Sequence, residues 1–323
     1  MPATFAHCLI AREAISKMGE SPYAGVLKMN NNFVIMGATG PDYPYLTDVI
    51  TYGVLHIGHN WSNRMHYENV VDFVDYGIKA LAAMDRKSAR FETCLAWFLG
   101  YFSHVIVDSF VHPVVNCITG GPYIFTHVEH GHCELIQDAY IFKTLTGTEI
   151  ISAAPRDNTF GYLNILDDCS DPNDTDRINP YVGAFWTDLL MKAHPYAAPY
   201  FKDINPDEWH KNYKARIDFV SDSRSIFRHV LDIANAPHYI AETKIDRADR
   251  SKYIDSVPLP NREKRISYDL LFENTVDLVV AKWQAILPIL DVQENTLPIL
   301  AKDWNLDTGV DESIIDLWTG VAL

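Results

Sequence analysis

The length, composition and charge of this chain indicate an ordered globular protein and exclude two classes of partner. It has 323 residues, 48% of them hydrophobic, and a formal net charge of -15 at pH 7. A chain of this length can bury a large core in one large domain or two smaller ones. Nucleic acids and anionic membranes are bound by basic surfaces, so this acidity argues against both as partners.

The N-terminus and the apolar segments show no targeting signal. The first residues, MPATFAHCLIAREAISKMG, lack a cationic start, an apolar stretch and a cleavage site. No run approaches the roughly eighteen consecutive apolar residues of a membrane-spanning helix. The five cysteines lack C-x-x-C spacing, as is typical of reduced thiols. We therefore expect a cytoplasmic protein without a transmembrane segment, or a secreted one if processing precedes this numbering.

Helical periodicity dominates the chain, and alternating strand-like runs are scarce. In chain order, the predicted helices cover residues 3–18, 67–84, 88–112, 129–146, 181–193, 207–234 and 267–290. Turn-forming residues break the pattern at 119–122, in the acidic loop 167–180 and at 257–260. The sequence predicts an all-α fold, a single multi-helix domain. Residues 1–145 form its metal-site core, and residues 146–323 form a helical extension that serves as a pocket wall.

Two of the predicted helices carry five side chains of the types that bind metal ions. They follow the spacings His104-x3-Asp108-x3-His112-Pro113 and His130-x3-Glu134. Residues four apart lie about 40° apart around a helix and one turn higher, so each set forms a ladder on one face. The density of these residues indicates a site for more than one metal ion.

The surroundings of the first ladder favour a metal over an ordinary buried cluster. The helix is otherwise almost entirely apolar, which predicts that it lies in the interior. A buried carboxylate is unfavourable unless it is paired or binds a cation, and no Lys or Arg lies between Arg90 and Lys143 to pair with Asp108. A single core histidine is most simply bonded to a carbonyl, but five such residues at helical spacing favour a metal. Imidazole and carboxylate ligands without thiolate favour zinc, with iron or manganese as alternatives.

The N-terminal third offers three further candidate ligands. His7 lies on or beside the apolar face of the first predicted helix. Asp42 follows the turn at residues 37–41, where a rigid Gly/Pro-rich backbone exposes its carboxylate. His66 precedes the next predicted helix, and His59 is its alternative as a ligand.

In this order the residues resemble the zinc-dependent phospholipase C family. The matching segments are His7, Gly-x-x-Gly-Pro-Asp42, His66-x-Glu-Asn, Gly100-Tyr-x-x-His104-x3-Asp108-x3-His112-Pro and His130-x3-Glu134. They span roughly residues 1–145. That family also includes the N-terminal domain of glycosylphosphatidylinositol phospholipase D, and its fold is related to that of the S1/P1 nucleases. The resemblance implies an all-α fold of this type with a trinuclear zinc cleft.

The resemblance also implies how the ligands are divided. One zinc would be held by Asp42, His66, His104 and Asp108, a second by His112, His130 and Glu134, and a third by His7 with the bridging Asp108. Phospholipases of the family complete the third site with an N-terminal tryptophan, whereas this chain begins Met1-Pro2. The expected cofactor is therefore two or three zinc ions.

Other residues near these ligands remain open alternatives. His66 is preferred to His59 because the Tyr-Glu-Asn string that follows it matches the family better. Arg64 and Tyr67 either line the cleft and bind an anionic group of the substrate or form an ordinary surface pair.

The activity implied by the resemblance is hydrolysis of a phosphoester by a metal-activated water. The resemblance also implies a catalytic role for Asp42, which would orient or deprotonate that water. The substrate is either a lipid phosphoester or a soluble small-molecule or natural-product phosphate ester. A di-iron helical oxygenase is a less favoured alternative, since its ligands are paired Glu-x-x-His repeats whereas the ladders here are His-x3-Asp and His-x3-Glu.

Overall fold

A computed structural model describes residues 4–45, 61–150, 160–221, 239–260, 263–291 and 304–311 of the chain. Within these ranges most residues are helical, and strands occur only as three short antiparallel pairs. The prediction of an all-α fold is confirmed.

The helices and strands follow one another along the chain without any extended sheet. The helices are α1 (Thr4–Lys17), α2 (Ala24–Met29), α3 (Asn31–Gly37), α4 (Trp61–Tyr67), α5 (Val70–Ala82), α6 (Ala89–Thr119), α7 (Tyr123–Thr146), α8 (Tyr162–Asp168), α9 (Pro180–Ala193), α10 (Pro206–Ser221), α11 (Arg247–Arg250) and α12 (Tyr268–Asp291). Single 3-10 segments cover Gly40–Asp42, Pro195–Asp203 and Glu242–Lys244, and a π-helical turn covers Ser251–Asp255. The strand pairs are β1 (Ser170–Asp171) with β2 (Asp174–Ile178), β3 (Val257–Pro258) with β4 (Arg265–Ile266), and β5 (Trp304–Asn305) with β6 (Val310–Asp311).

Helix α6 runs through the centre of the hydrophobic core. The Ser88 hydroxyl caps its start by accepting a hydrogen bond from the Phe91 amide at 3.1 Å, and Gly120, with φ of 86°, ends it in the left-handed conformation. The helix continues through Pro113 to Thr119, beyond its predicted end. A proline inside a helix loses one backbone hydrogen bond. Here the segment that follows it is held by burial of Val114 and Val115.

The apolar character of α6 reflects its position in the core. In the described parts of the chain it is the one helix long and apolar enough to cross a membrane, and 94% of its most apolar window is buried inside the protein. Buried core helices can be equally long and apolar, so these two properties are weak evidence for a membrane span.

Helix α3 approaches α6 closely at two glycines. A Cβ atom at Gly37 would lie 2.0 Å from the carbonyl oxygen of Trp97, and one at Gly100 would lie 2.0 Å from that of Val34. Only glycine permits such an approach of two backbones. The contact brings the chain after α3, including Asp42, beside the middle of α6.

Both halves of the chain contribute to this core. Helices α1, α5, α7, α9 and α12 also pack against α6. The indole of Trp283 on α12 donates a hydrogen bond to the carbonyl of Leu99 on α6 at 3.0 Å, and both side chains are fully buried. The C-terminal helix therefore packs directly on the helix that carries the first ligand ladder.

One expectation about local structure was wrong. His66 was expected to precede a helix, but it lies within α4, and a separate helix, α5, begins at Val70. Asn69 between them has a left-handed backbone with φ of 53°, which interrupts the helical path. Helices as short as α2, α3, α4 and α8 were not predicted, because six or seven residues contain too few turns to show a period.

Candidate metal centre

The candidate ligands come from five separate segments and meet beside α6. His7 lies on α1, Asp42 at the end of the Gly40–Asp42 segment, His66 on α4, the ladder His104, Asp108 and His112 on α6, and His130 with Glu134 on α7. None of these eight residues is more than 7% exposed. His59, the alternative to His66, lies outside the described residues.

Asp108 lies at the middle of the cluster and faces four imidazoles. Its Oδ1 is 3.1 Å from Nε2 of His7 and 3.7 Å from Nε2 of His112. Its Oδ2 is 3.1 Å from Nε2 of His104 and 3.5 Å from Nε2 of His66. The two oxygens of one carboxylate thus face two different pairs of ligands.

Asp42, His66 and His104 form one group whose ligand atoms are mutually close enough to bind a single metal ion. Nε2 of His66 is 3.5 Å from Oδ1 of Asp42 and 3.3 Å from Nε2 of His104. His104 also belongs to a second such group, with His7 and Asp108. The rings of His7 and His104 stack with their centroids 4.2 Å apart.

His112, His130 and Glu134 form the third group. Oε1 of Glu134 is 2.9 Å from Nε2 of His130 on its own helix and 3.4 Å from Nε2 of His112 on α6. Helices α6 and α7 each supply part of this group, so the site depends on how the two helices pack.

Backbone carbonyls orient three of the imidazoles. The Nδ1–H groups donate to carbonyl oxygens in each case, from His104 to Ala38 at 2.9 Å, from His66 to Ser62 at 2.7 Å and from His112 to Leu306 at 3.1 Å. A neutral imidazole that donates through Nδ1 presents the lone pair of Nε2, and this is how metal-binding histidines are commonly held.

The buried polar atoms of the cluster lack the partners that burial requires. No hydrogen bond reaches either oxygen of Asp42 or Asp108, Oε2 of Glu134 or Nε2 of His112. Among the described residues, no Lys or Arg pairs with these carboxylates. Lone pairs of imidazoles and carboxylates therefore face one another, and a bound cation is what would satisfy them. The nitrogen and oxygen donors fit zinc.

Comparison with known families agrees with this geometry. The family model described as zinc dependent phospholipase C matches residues 6–196, which are more than half of the chain and contain all eight candidate ligands. The chain belongs to the zinc-dependent phospholipase C family. The family is one of zinc-dependent hydrolases, in agreement with the donor set. Neither the curated proteins nor the solved structures contain a match to the chain.

The charges of the centre strongly perturb its titrating groups. Burial acts to raise the pKa of Asp108, but the imidazoles of His104, His112 and His7 outweigh it and hold that pKa well below its usual value. Burial acts to lower the pKa of His112, yet the carboxylates of Asp108 and Glu134 raise it to about 9. A proton on His112 and a metal ion therefore compete for the same nitrogen.

The hairpin formed by β5 and β6 contacts His112 through its backbone. Besides accepting from His112, Leu306 donates its backbone N–H to the carbonyl of His66 at 3.0 Å. The side chain of Asn116 donates to the carbonyl of Asp307 at 2.7 Å. The hairpin formed by β5 and β6 thus links His66 on α4 to His112 on α6. Nothing in its sequence resembles a metal motif, so it was not predicted.

Asp138 is a second residue that the sequence analysis missed. It lies one turn after Glu134 on α7 and is fully buried. Its carboxylate accepts hydrogen bonds from the backbone amides of Phe5 and Ala6 at 3.0 and 2.5 Å, and from the Tyr239 hydroxyl at 2.9 Å. It caps the free N–H groups at the start of α1, the helix that carries His7. The spacing Glu134-x3-Asp138 continues the ladder of His130 and Glu134 by one turn, and it could have identified Asp138 as a buried polar residue.

The two candidate substrate contacts differ in their surroundings. Arg64 pairs with Glu68 at 2.6 Å and lies over the rings of Trp61 and Tyr200. Tyr67 is 40% exposed. Burial and the nearby carboxylates of Asp307 and Asp108 raise its pKa. Contact of either residue with a substrate stays a prediction.

Proposed function

We propose that the protein hydrolyses a phosphodiester of the phospholipid class in a zinc-dependent reaction. The observation that carries this proposal is the buried cluster of eight imidazoles and carboxylates around Asp108, which lacks any compensating Lys or Arg among the described residues. Membership in the zinc-dependent phospholipase C family supports both the metal and the reaction class.

The geometry supports two strong metal positions and a weaker third. We assign one ion to Asp42, His66 and His104 with an oxygen of Asp108, and a second to His112, His130 and Glu134. A third ion would be held by His7 and Asp108, because Nε2 of His104 could bind only one ion. We therefore expect two or three zinc ions per chain.

In the proposed mechanism, Asp42 acts as the general base. Burial acts to raise its pKa, but the imidazoles of His104 and His66 outweigh it and hold that pKa below its usual value, so Asp42 is ionised at neutral pH. It stands on a short 3-10 segment outside the helical ladders, and the carboxylate oxygen that does not bind the ion would orient a water and accept its proton. Zinc bound by this cluster would supply Lewis-acid polarisation of the phosphoryl group and a lower pKa for that water.

The C-terminal half takes part in the site as a wall in this proposal. A cavity of about 30 Å³ borders His7, Asp108, His112 and Glu134, and Tyr268 of α12 lines it. Its volume suffices for one or two waters. Location in the cytoplasm stays a prediction.

Two measurements on the purified protein test the proposal. Elemental analysis should find two or three zinc ions per chain, and hydrolysis of bis-p-nitrophenyl phosphate and of monomeric short-chain phosphatidylcholine should stop on chelation and return with zinc. Asp42→Asn should keep the metal of His112, His130 and Glu134 but lose about 10²–10⁴-fold in rate, the usual contribution of a general base. Stoichiometric iron, or full zinc without hydrolysis of either substrate, would overturn the proposal.

A further inference from the structure

The start of α7 carries an exposed cluster of large apolar side chains. Ile124, Phe125 and Val128 are 75%, 81% and 59% exposed, and they lie within five residues on either side of a non-helical residue, Thr126. The other large exposed apolar residues of the described chain are isolated from one another in sequence. Isolated ones are normal on a protein surface, whereas a cluster indicates an interaction site. We call these three residues the apolar tip.

The apolar tip is free of charge in an otherwise acidic protein. Residues 119–128 contain no Asp, Glu, Lys or Arg. The next charged residue, Glu129, is paired with Lys252 and with the hydroxyl of Tyr253. Inserting this segment into an apolar phase would therefore dehydrate no unpaired charge. The net charge of -15 disfavours an anionic membrane surface and leaves a zwitterionic one as the compatible partner.

The apolar tip adjoins a residue that contacts one of the candidate metal ligands. Tyr123, the residue before it, places its ring edge against the ring of His130, with centroids 5.1 Å apart and an angle of 87° between the planes. Tyr123 also lies close enough to Tyr67 to contribute to the raised pKa of the Tyr67 hydroxyl. A surface that enters a bilayer here would bring the metal ligands to the membrane.

The depth of such a contact matches the chemistry of the site. Apolar faces that lie in a membrane interface are buried about 5–10 Å, at the boundary between headgroups and acyl chains. The phosphodiester of a phospholipid lies just outside that boundary. A protein anchored through the apolar tip would hold the helix that carries His130 near the level of the phosphate groups.

We propose that the apolar tip docks the protein on zwitterionic phospholipid bilayers and so holds the metal centre at the membrane surface. This rests on the function proposed above, and it deepens it by naming the surface that brings the protein to its lipid. The bound partner is the lipid surface itself, recognised by insertion of Ile124, Phe125 and Val128.

The test compares a tip variant with a matched surface variant. Ile124→Ser combined with Phe125→Ser removes the two most exposed tip residues, and Met29→Ser removes an 85% exposed residue on α2. Binding to long-chain phosphatidylcholine vesicles is measured by flotation, along with zinc content and hydrolysis of vesicles and of monomeric short-chain phosphatidylcholine. The tip variant should lose about tenfold or more in vesicle binding and vesicle hydrolysis, from the apolar area no longer buried. Its zinc content and its rate on the monomeric lipid should equal those of the Met29→Ser protein.

The outcomes separate this proposal from the proposed function. Vesicle binding requires no turnover, so a protein that binds vesicles through the tip but hydrolyses nothing would overturn the function and leave the docking surface standing. Unchanged vesicle binding in the tip variant would overturn the docking surface. Two further results would also overturn it: a requirement for anionic lipid, or a dimer in light scattering that the tip variant converts to a monomer.

Discussion

Asp108 connects the metal groups through a single side chain. One oxygen faces His7 and His112 and the other faces His104 and His66, all within 3.7 Å. Removing its charge would leave several imidazoles without the anion that makes a buried cation tolerable. We infer that the loss of this one carboxylate affects more than one metal.

Asp108→Asn should therefore lower the zinc content by more than one ion per chain. The amide has nearly the same shape but carries no charge and is a poorer ligand. Elemental analysis of the purified variant measures the loss. Glu134→Gln is the matched control and should lose one ion only, because Glu134 contacts His112 and His130 alone among the candidate ligands. Equal losses in the two variants would contradict the bridging role.

His112 gives the centre a defined dependence on pH. Its pKa is raised from 6.5 to about 9 in the metal-free protein by Asp108 and Glu134 acting against burial. A raised histidine pKa means that the proton stabilises the metal-free fold fully below about pH 6.5, and that this contribution is lost as the pH rises through about 9.

Zinc affinity should change in the opposite direction over the same window. Zinc binds the neutral imidazole and displaces the proton, so affinity should rise by up to about tenfold per pH unit between about pH 6.5 and 9. Competition titrations with a chromophoric chelator across this range measure it. A zinc affinity that is flat over the window would show that His112 is not a ligand.

At the scale of the element, the β5–β6 hairpin determines how His112 is held. Gly309 has φ of 65°, and a Cβ atom there would lie 2.3 Å from the carbonyl oxygen of Ser109 and 2.7 Å from Pro113. A side chain at this position must push the hairpin away from α6. The carbonyl of Leu306 would then no longer accept the hydrogen bond from Nδ1 of His112.

Gly309→Ala should weaken zinc binding by the group of His112, His130 and Glu134 by about 10–100-fold, the usual effect of losing an outer hydrogen bond to a ligand. Zinc titration measures the affinity, and the visible absorption of the cobalt-substituted protein reports the ligand geometry. Gly147→Ala is the matched control, because Gly147 has φ of 72° but nothing within 4 Å of its Cβ position. Comparable zinc affinities in the two variants would show that the hairpin has no role in the centre.

At the scale of the whole molecule, the metal centre joins parts of the chain that are distant in sequence. Its candidate ligands come from α1, α4, α6, α7 and the segment that ends at Asp42, and the C-terminal hairpin bonds to two of them. Without metal, the carboxylates and imidazoles at this junction are buried without adequate partners. We therefore expect the centre to contribute to folding as well as to the proposed chemistry.

Removal of zinc should lower the thermal stability of the entire protein. Any ligand that binds only the folded state stabilises it, by about 4 kcal/mol when its concentration is a thousand times its dissociation constant. Calorimetry before and after chelation measures the change in Tm, and readdition of zinc should restore it. An unchanged Tm after verified metal removal would show that zinc does not bind the folded state in preference to the unfolded one.

The sequence by itself determined the helical class and the two ladders. Ligands at His104, Asp108 and His112 lie on one face because the spacing of four residues is fixed by local helix geometry. The absence of Lys and Arg from residues 91–142 favoured a bound cation before any fold was known. These features depend only on neighbours along the chain.

The tertiary structure alone decided how those ladders are combined and supported. Leu306 reaches His112 from 194 residues away, and Asp138 caps α1 at Phe5 from 133 residues away. Such contacts depend on the packing of every intervening element, and a backbone carbonyl or a capping carboxylate leaves no pattern in the residues beside it. His66 shows the same limit locally, since the left-handed residue Asn69, which separates α4 from α5, falls inside the helix predicted over residues 67–84.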